Sequence, residues 1–246
     1  MKILIASPTY DGSVRKEYMR SVMVLTDFLN QSGFLWEMMV EPSSMLHVMR
    51  SVMASKALMD PQITHILFVD TDMGFSATAV KKMIDAKVDI IGCAYPYRTV
   101  PLHETIAKSG VTYRESISQV VPYAVQFPNG KGSFEVTNGI CEVSALGTGL
   151  ILISKQALQA MVSKGVAEPF ATGFPYSQWY EHNQYYGFFD YLKVDGAYIG
   201  EDYSFCKRWT QDCGGKIFAI VDEEVMHIGA MPVIGRYIDK IKSGKL

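Results

Sequence analysis

Two aspartates separated by one residue, Asp70 and Asp72, directly follow an apolar run in the sequence. Residues 66–75 read ILFVDTDMGF. The apolar run predicts a buried strand, so we expect both carboxylates to leave a sheet at the end of that strand. Hard divalent cations prefer oxygen ligands, and an ion held there could neutralise the charge on a departing nucleoside diphosphate. The alternative is that the aspartates only cap the strand and begin a turn.

The elements that would position these aspartates follow from hydrophobic periodicity. Strands are predicted at residues 3–6, 35–40, 65–69 and 88–93, with helices between them. The first helix is predicted by an apolar stripe of Tyr18, Val22, Leu25 and Leu29. The second helix is expected to be capped by Ser43 or Ser44, and the third by Ser76. This alternation predicts an α/β fold with a Rossmann-like, mostly parallel sheet, whose ligand site lies at the carboxyl ends of the strands.

The second half of the chain is less regular. From about Thr99 the sequence is Gly-rich with short strand-like pieces, and helices become rarer. Ten aromatic residues crowd between Phe170 and Tyr191 without a period, which indicates a long functional loop. Their rings could stack on sugars or nucleobases, or could form a satellite core. A last helix is expected near Glu201 and a final strand at residues 217–221.

The bulk composition excludes several classes of protein. A net charge of −2 and a pI of about 6.2 are not those of a strongly basic nucleic-acid binder, although a local basic groove stays open. No apolar run approaches the ~20 residues that span a bilayer. Cys93, Cys141, Cys206 and Cys213 lack the spacings of zinc sites or of a disulfide framework. We therefore expect a soluble protein with reduced thiols in the cytoplasm, or in the host cytoplasm if the chain is viral.

Residues 66–75 resemble the strand, D-x-D and small-residue turn of GT-A glycosyltransferases, which transfer a sugar from a nucleotide-sugar to an acceptor. Further positions follow the order of that family, so the resemblance spans most of the chain and fits a compact bacterial or bacteriophage type. It implies a single GT-A-like domain at 1–246, with a nucleotide-sugar-binding half at 1–98 and an irregular acceptor-binding half at 99–246. It also implies a Mn²⁺ or Mg²⁺ ion held by Asp70, Asp72 and His227.

The nucleotide-binding positions that the resemblance implies are Pro8, Thr9, Tyr10, Asp11, Arg50 and Asp70. Tyr10 would stack on the base and Asp11 would bond the base or the ribose, unless this stretch is simply a turn. Arg50 and Ser51 resemble an Arg-Asn pair that contacts the nucleotide. Arg50 lies off the apolar stripe of its helix, so its guanidinium is free to reach a phosphate or only solvent.

The donor-sugar and acceptor positions that the resemblance implies are Tyr95, Arg98, Gly149, Trp179 and Glu201. Gly149 belongs to a Gly-x-Gly stretch, where missing side chains would let a ligand approach the backbone, unless it is a simple bulge. Asp202 is the candidate catalytic carboxylate. In an inverting enzyme it would be the general base, within hydrogen-bond reach of the acceptor hydroxyl, whereas in a retaining enzyme it would only orient or stabilise. Glu201 could instead serve only to complement the helix dipole.

The favoured function is a metal-dependent glycosyltransferase that uses a nucleotide-sugar, with a UDP-sugar as the donor that the family suggests. Its acceptor hydroxyl would belong to a glycan or to a hydroxylated DNA base, which would make the protein a DNA-modifying enzyme. One rival is a sugar nucleotidyltransferase, although residues 8–11 lack its Gly-rich, basic phosphate loop. Another is an inactive carbohydrate- or nucleotide-binding module. A phosphohydrolase is disfavoured because Gly74 stands where its motif needs a threonine.

Overall fold

The structure, a computed structural model, describes residues 1–99, 112–128, 135–171, 185–229 and 232–244. The first elements are β1 (Lys2–Thr9), α1 (Lys16–Gln31), β2 (Leu35–Pro42), α2 (Leu46–Met59), β3 (His65–Val69), β4 (Met73–Gly74), α3 (Ala77–Ala86), β5 (Ile90–Cys93), α4 (Tyr113–Val120), β6 (Val125–Gln126), β7 (Ile140–Val143) and β8 (Ala145–Leu146). The others are β9 (Leu150–Ser154), α5 (Lys155–Ser163), β10 (Pro169–Phe170), β11 (Tyr185–Tyr186), β12 (Leu192–Val194), β13 (Ala197–Ile199), α6 (Glu201–Lys207), β14 (Ile217–Ile220), β15 (Val225–Ile228), β16 (Pro232–Gly235) and α7 (Tyr237–Lys242). A π-helical segment, Arg208–Asp212, continues α6.

The central sheet has seven strands in the order β2-β1-β3-β9-β5-β14-β7. Five of them point the same way, whereas β9 and β7 are antiparallel to their neighbours. The predicted α/β class with a mostly parallel sheet is therefore confirmed. The four strands predicted in the first half, β1, β2, β3 and β5, all point the same way, but β9 from the second half lies antiparallel between β3 and β5. Since β9 is antiparallel, it begins at the edge where β3 and β5 end.

The two faces of the sheet bury separate hydrophobic clusters, because side chains alternate along each strand. Ile3 and Ile5 of β1 pack in one cluster with Val22 and Leu25 of α1 and with residues of α3. Leu4 and Ala6 face the other side, where α2, α5 and α6 contribute to the larger cluster. The sheet is thus covered on both faces, which leaves its carboxyl edge for the loops.

Helices α1 and α3 follow the predicted patterns. The buried residues of α1 include the whole predicted stripe, and the hydroxyl of Ser76 accepts a hydrogen bond from the backbone N–H of Ala79 at 3.2 Å. Helix α2 differs from the prediction, because its N-cap residue is Met45. Ser43 accepts instead from the N–H of Met45 at 3.0 Å. Within the described part of the chain, no helix is long and apolar enough to cross a membrane.

The second half contains more helix than the sequence suggested. Helix α5 is capped by Ser154, whose hydroxyl accepts from the N–H of Ala157 at 3.1 Å. Parts of the aromatic segment are packed rather than exposed, since Tyr185, Phe188 and Phe189 are fully buried in the larger cluster. Residues 172–184 lie outside the described residues, and they include the predicted site residue Trp179.

Candidate functional site at the carboxyl edge of the sheet

A cleft of about 700 Å³ opens where β1, β3 and β5 end. Eleven of the predicted site residues line it: Pro8, Thr9, Tyr10, Arg50, Asp70, Asp72, Tyr95, Arg98, Glu201, Asp202 and His227. Seven residues outside the predicted set also line it: Leu46, Thr71, Tyr97, Thr99, Ala124, Gly200 and Tyr203. Residues from both halves of the sequence therefore converge on one cavity, at the edge where α/β sheets bind ligands.

Two predicted residues do not line the cleft. The Asp11 carboxylate accepts hydrogen bonds from the backbone N–H of Ser13 at 2.9 Å and from its hydroxyl at 2.6 Å. Asp11 thereby stabilises the turn after β1, which was the alternative interpretation of this stretch. Gly149 lies behind Tyr95, as described below. Tyr10, in contrast, is 76% exposed at the cleft and is free to contact a ligand.

Asp70 forms a close ion pair with a buried arginine. Nη2 of Arg50 donates a hydrogen bond to Oδ1 of Asp70 at 2.7 Å, and Arg50 is only 2% exposed. The expectation that Arg50 lies off the buried face and is free is wrong, because α2 is buried on almost every side between the sheet and neighbouring elements. Ser51 is buried as well, and its hydroxyl accepts from the N–H of Phe189 at 3.1 Å.

The guanidinium of Arg50 is shared among several carboxylates. Its Nε lies 3.9 Å from Oε1 of Glu201. Burial alone would lower the pKa of Arg50, but the charges of Asp70 and Asp202 outweigh burial and raise it. Among the residues described, neither Nε nor Nη1 has a hydrogen-bond partner. Arg50 therefore carries a permanent positive charge between the D-x-D carboxylates and the start of α6, with donors still unused.

Asp72 faces an arginine and a histidine. Nη1 of Arg98 donates to Oδ2 of Asp72 at 2.9 Å, and Nε2 of His227 lies 3.6 Å from the same oxygen. Burial alone would raise the pKa of Asp72, but His227 and Arg98 together hold it below its usual range. Asp72 is thus ionised at neutral pH and available to a cation.

Pairing between β4 and β15 brings His227 to this place. His227 lies opposite Met73 in that pair, and the N–H of Ile228 donates to the carbonyl oxygen of Asp72 at 2.8 Å. The sequence analysis placed His227 after the final strand, whereas the structure places it within a further strand. Nδ1 of His227 lies 2.8 Å from the carbonyl oxygen of Pro96. A carbonyl can only accept, so Nδ1 carries a proton, and Nε2 is the ring nitrogen that faces Asp72.

These groups fit a divalent cation. Two ligand atoms on one ion, each about 2.1 Å from it, lie about 3–3.5 Å apart, close to the 3.6 Å between His227 Nε2 and Asp72 Oδ2. The hydrogen bond from Nδ1 to Pro96 is the outer-shell contact that usually orients a metal-binding histidine. No group of three His, Cys, Asp or Glu residues is assembled for a metal among the described residues, so the predicted set of Asp70, Asp72 and His227 does not come together as three ligands. Asp70 is paired with Arg50 instead. Other ligands would therefore come from phosphate and water, and Arg98 would have to leave Asp72.

Asp202 has the properties of a base. The hydroxyl of Thr148 donates to its Oδ1 at 2.5 Å, and Oδ2 has no hydrogen-bond partner within the described ranges. Burial and the negative charges of Glu201 and Asp70 outweigh the effects of Arg50 and Thr148, which raises the pKa of Asp202 to about 6. A carboxylate with this pKa is ionised at neutral pH yet basic enough to take a proton efficiently.

Tyr95 explains the Gly-x-Gly stretch. A Cβ atom on Gly147 would lie 2.2 Å from the Tyr95 hydroxyl, and one on Gly149 would lie 2.9 Å from it. The N–H of Gly149 donates to that hydroxyl at 3.1 Å, and its carbonyl accepts from the N–H of Asp70 at 2.9 Å. The glycines therefore make room for Tyr95 rather than directly for a ligand. Burial and nearby carboxylates raise the pKa of Tyr95, so its hydroxyl keeps its proton.

Three site residues escaped the sequence analysis as functional candidates. Thr148 orients Asp202, while Tyr97 and Tyr203 line the cleft with their hydroxyl oxygens 3.2 Å apart. Tyr203 directly follows Asp202, and Tyr97 directly precedes Arg98, so adjacency to the selected residues was the available signal. Nothing local in the sequence shows that the two tyrosines meet.

The structure is similar to that of A197 from STIV, with a TM-score of 0.49 and 16% sequence identity over 93% of this chain and 86% of that chain. It is also similar to a glycosyltransferase involved in the glycosylation of the major capsid of PBCV-1, with a TM-score of 0.30 and 18% identity over 72% of this chain and 73% of that chain. No protein-family model and no curated protein matches the sequence. At such TM-scores the functional conclusion depends on the geometry of the cleft.

Proposed function

We propose that the protein is a metal-dependent glycosyltransferase that transfers a sugar from a nucleotide-sugar, with a UDP-sugar as the first candidate, to a hydroxyl acceptor. The observation that carries this proposal is that an Asp–His pair with the spacing of metal ligands and a carboxylate with a raised pKa lie in one cleft. Asp72 and His227 meet on one side of it, while Asp202 has its Oδ2 atom unpaired within the described residues. Transfer to a hydroxyl needs both a means to stabilise a leaving diphosphate and a group to accept a proton.

The donor would occupy the part of the cleft lined by Tyr10, Arg50 and the D-x-D residues. Tyr10 is exposed there and offers a face to a nucleobase. Arg98 provides a planar guanidinium that suits phosphate oxygens once Asp72 is taken by a cation. Arg50 keeps the Asp70 carboxylate in place through the 2.7 Å ion pair. These residues account for binding and orientation of an anionic donor.

The ion would be Mn²⁺ or Mg²⁺, held by Asp72 and His227, with Asp70 beside them. When bound, it would neutralise negative charge on the leaving nucleoside diphosphate. Asp202 Oδ2 would accept the proton of the acceptor hydroxyl while the acceptor oxygen bonds to the anomeric carbon. The electron pair of the broken carbon–oxygen bond would leave with the diphosphate. Thr148 would keep Asp202 in the orientation that this step needs.

Isothermal titration with UDP-, GDP-, CMP- and dTDP-sugars, each with Mn²⁺ and with chelator, tests this proposal. We expect one nucleotide-sugar to bind, and its binding to depend on the ion. Asp72→Ala should abolish ion-dependent donor binding, whereas Asp202→Asn should retain donor binding and lose transfer. Equal donor affinity in Asp72→Ala would refute the metal assignment, and binding without any turnover would instead support an inactive module.

A matched control is available for the charge changes. Asp195 is an exposed carboxylate in the turn between β12 and β13, away from the cleft lining. Asp195→Asn makes the same chemical change as Asp202→Asn at a remote place. It should leave both donor binding and transfer at the wild-type level.

A further inference from the structure

We propose that the acceptor is an uncharged sugar whose ring packs against Tyr97 and Tyr203 beside Asp202. This inference rests on the proposed function and assigns the substrate class of the same site. It is carried by two observations: how charge is distributed along the cleft, and how the two tyrosines are held. The competing acceptor is a hydroxylated base in DNA, which would bring phosphates into the same space.

Charge divides the cleft into two parts. The two arginines that line it are both engaged with the D-x-D carboxylates, Arg50 with Asp70 and Arg98 with Asp72. A cation bound at Asp72 would add positive charge on that same side. The donor part of the cleft is therefore the one suited to an anion, and a nucleoside diphosphate fills that requirement.

The part next to Asp202 has the opposite character. Glu201 and Asp202 lie there between Gly200 and Tyr203, and Tyr97 meets Tyr203. Arg50 lies behind them, with its Nε 3.9 Å from Glu201, but it is only 2% exposed and offers a ligand almost no surface. No lysine lines the cleft where the structure describes it, and Arg98 is tied to the donor side. A polyanion needs Lys and Arg contacts to its phosphates and gains most of its affinity from them. Here its phosphates would meet two carboxylates, so a neutral acceptor is favoured.

Tyr97 and Tyr203 form a platform that suits a sugar ring. Their hydroxyl oxygens lie 3.2 Å apart, and either one can donate to the other. The pair therefore still has a hydrogen to donate and lone pairs that can accept, which match the hydroxyl groups of a sugar. Tyr97 is 41% exposed, so ring surface remains open for the apolar C–H face of a ligand.

Both tyrosines are fixed by backbone contacts. The N–H of Tyr97 donates to the carbonyl oxygen of Pro122 at 2.9 Å, next to a bridge between Pro96 and Tyr123. Tyr203 belongs to the first turn of α6 and directly follows Asp202. A sugar that packs on this pair therefore holds its hydroxyl groups within the neighbourhood of the base. Stacking alone would also suit a nucleobase, so charge is the feature that separates the two acceptors.

The test uses the full chain saturated with the nucleotide identified by titration and Mn²⁺. Saturation-transfer NMR is recorded with methyl glycosides of glucose, galactose, mannose and N-acetylglucosamine, and binding of a duplex containing 5-hydroxymethylcytosine is measured by fluorescence anisotropy. We expect at least one glycoside to bind, with little dependence on salt. Tyr97→Ala should weaken that binding at least tenfold, and Tyr97→Phe should weaken it less. Tyr198→Ala is the matched control, because Tyr198 is 76% exposed and outside the cleft lining.

Several results would overturn the inference. One is that the duplex binds more tightly than any glycoside and that Tyr97→Ala weakens the binding of the duplex. Another is that no glycoside binds while the nucleotide-sugar does, which would leave the proposed function standing and refute only the acceptor class. A loss of nucleotide binding in Tyr97→Ala would place Tyr97 in the donor part of the cleft. Failure of every nucleotide-sugar to bind would refute the proposed function itself.

Discussion

Replacement of Asp202 by asparagine should stabilise the protein, and should do so more strongly as the pH rises. The pKa of Asp202 is raised from the ordinary 3.8 to about 6, chiefly by burial and then by its charged neighbours. Because the folded-state pKa is raised, the protonated carboxyl group stabilises the fold fully below pH 4 or so. That contribution is lost as the pH rises through about 6. Asparagine cannot ionise, and its side-chain oxygen can still accept from Thr148.

The size of the effect follows from the two pKa values. The rise of the Asp202 pKa from 3.8 to about 6 corresponds to a loss of about 3 kcal/mol in the free energy of unfolding of the wild type over the whole pH range. About half of this loss falls between pH 5 and pH 8. Asp202 is partly open to the cleft, so solvent screening reduces this further. We expect the free energy of unfolding of Asp202→Asn, relative to wild type, to rise by about 1 kcal/mol between pH 5 and pH 8.

Urea denaturation of both proteins at the two pH values measures this change. Titrating groups that do not interact with Asp202 contribute equally to both proteins, so their contributions cancel in the difference between variant and wild type. The exposed Asp195→Asn variant should show no such rise. A stability difference between Asp202→Asn and wild type that stays constant, or that falls, from pH 5 to pH 8 would refute the burial argument for Asp202.

Three further outcomes are expected. Arg98→Met removes the guanidinium that competes with Mn²⁺ for Asp72 when no donor is bound. The Mn²⁺ affinity, measured by electron paramagnetic resonance, should therefore rise about threefold to fivefold, the equivalent of an exposed ion pair. An unchanged affinity would contradict this competition. Gly149→Ala would place a Cβ 2.9 Å from the ring and hydroxyl of Tyr95, and should cost about 1–3 kcal/mol of stability in urea. Gly200→Ala meets nothing within 4 Å and should cost less, about 0.5–1 kcal/mol, because Gly200 caps α6 and alanine is the poorer cap; equal costs would contradict the crowding. The transfer rate should rise with pH through about 6 and then level off, because Asp202 must be ionised to act as a base; a rate that is flat from pH 5 to pH 8 would remove Asp202 from this role.

Local patterns in the sequence predicted the elements that carry the site. The stripe from Tyr18 to Leu29 specifies α1 because a helical period buries one face, and Ser76 marks the start of α3 because its hydroxyl satisfies an unpaired N–H. The apolar run before Asp70 specifies β3 and delivers the D-x-D to its end. These features can be predicted from the sequence because each depends on residues that lie within a few positions of one another.

The burial of Arg50 could not be predicted from local sequence patterns. Its place on α2 was predicted to be off the apolar stripe, but the buried face of this helix takes in Arg50 and Ser51 as well as the apolar residues. A helix that is covered on most sides has no polar face, so periodicity misassigns its charged residues. The neighbouring Asp70, Asp202 and Glu201 offset the cost of this burial, and they come from distant parts of the chain.

By itself, the sequence determined an α/β protein whose D-x-D follows a buried strand and whose Asp202 opens a late helix. The tertiary structure decided which of these groups meet. Insertion of β9 between β3 and β5 brings Gly149 against Tyr95 and Thr148 within reach of Asp202, and the pairing of β15 with β4 brings His227 to Asp72. Strand pairing between such distant segments depends on the packing of the whole sheet, and it leaves no period or motif in the segments that it joins.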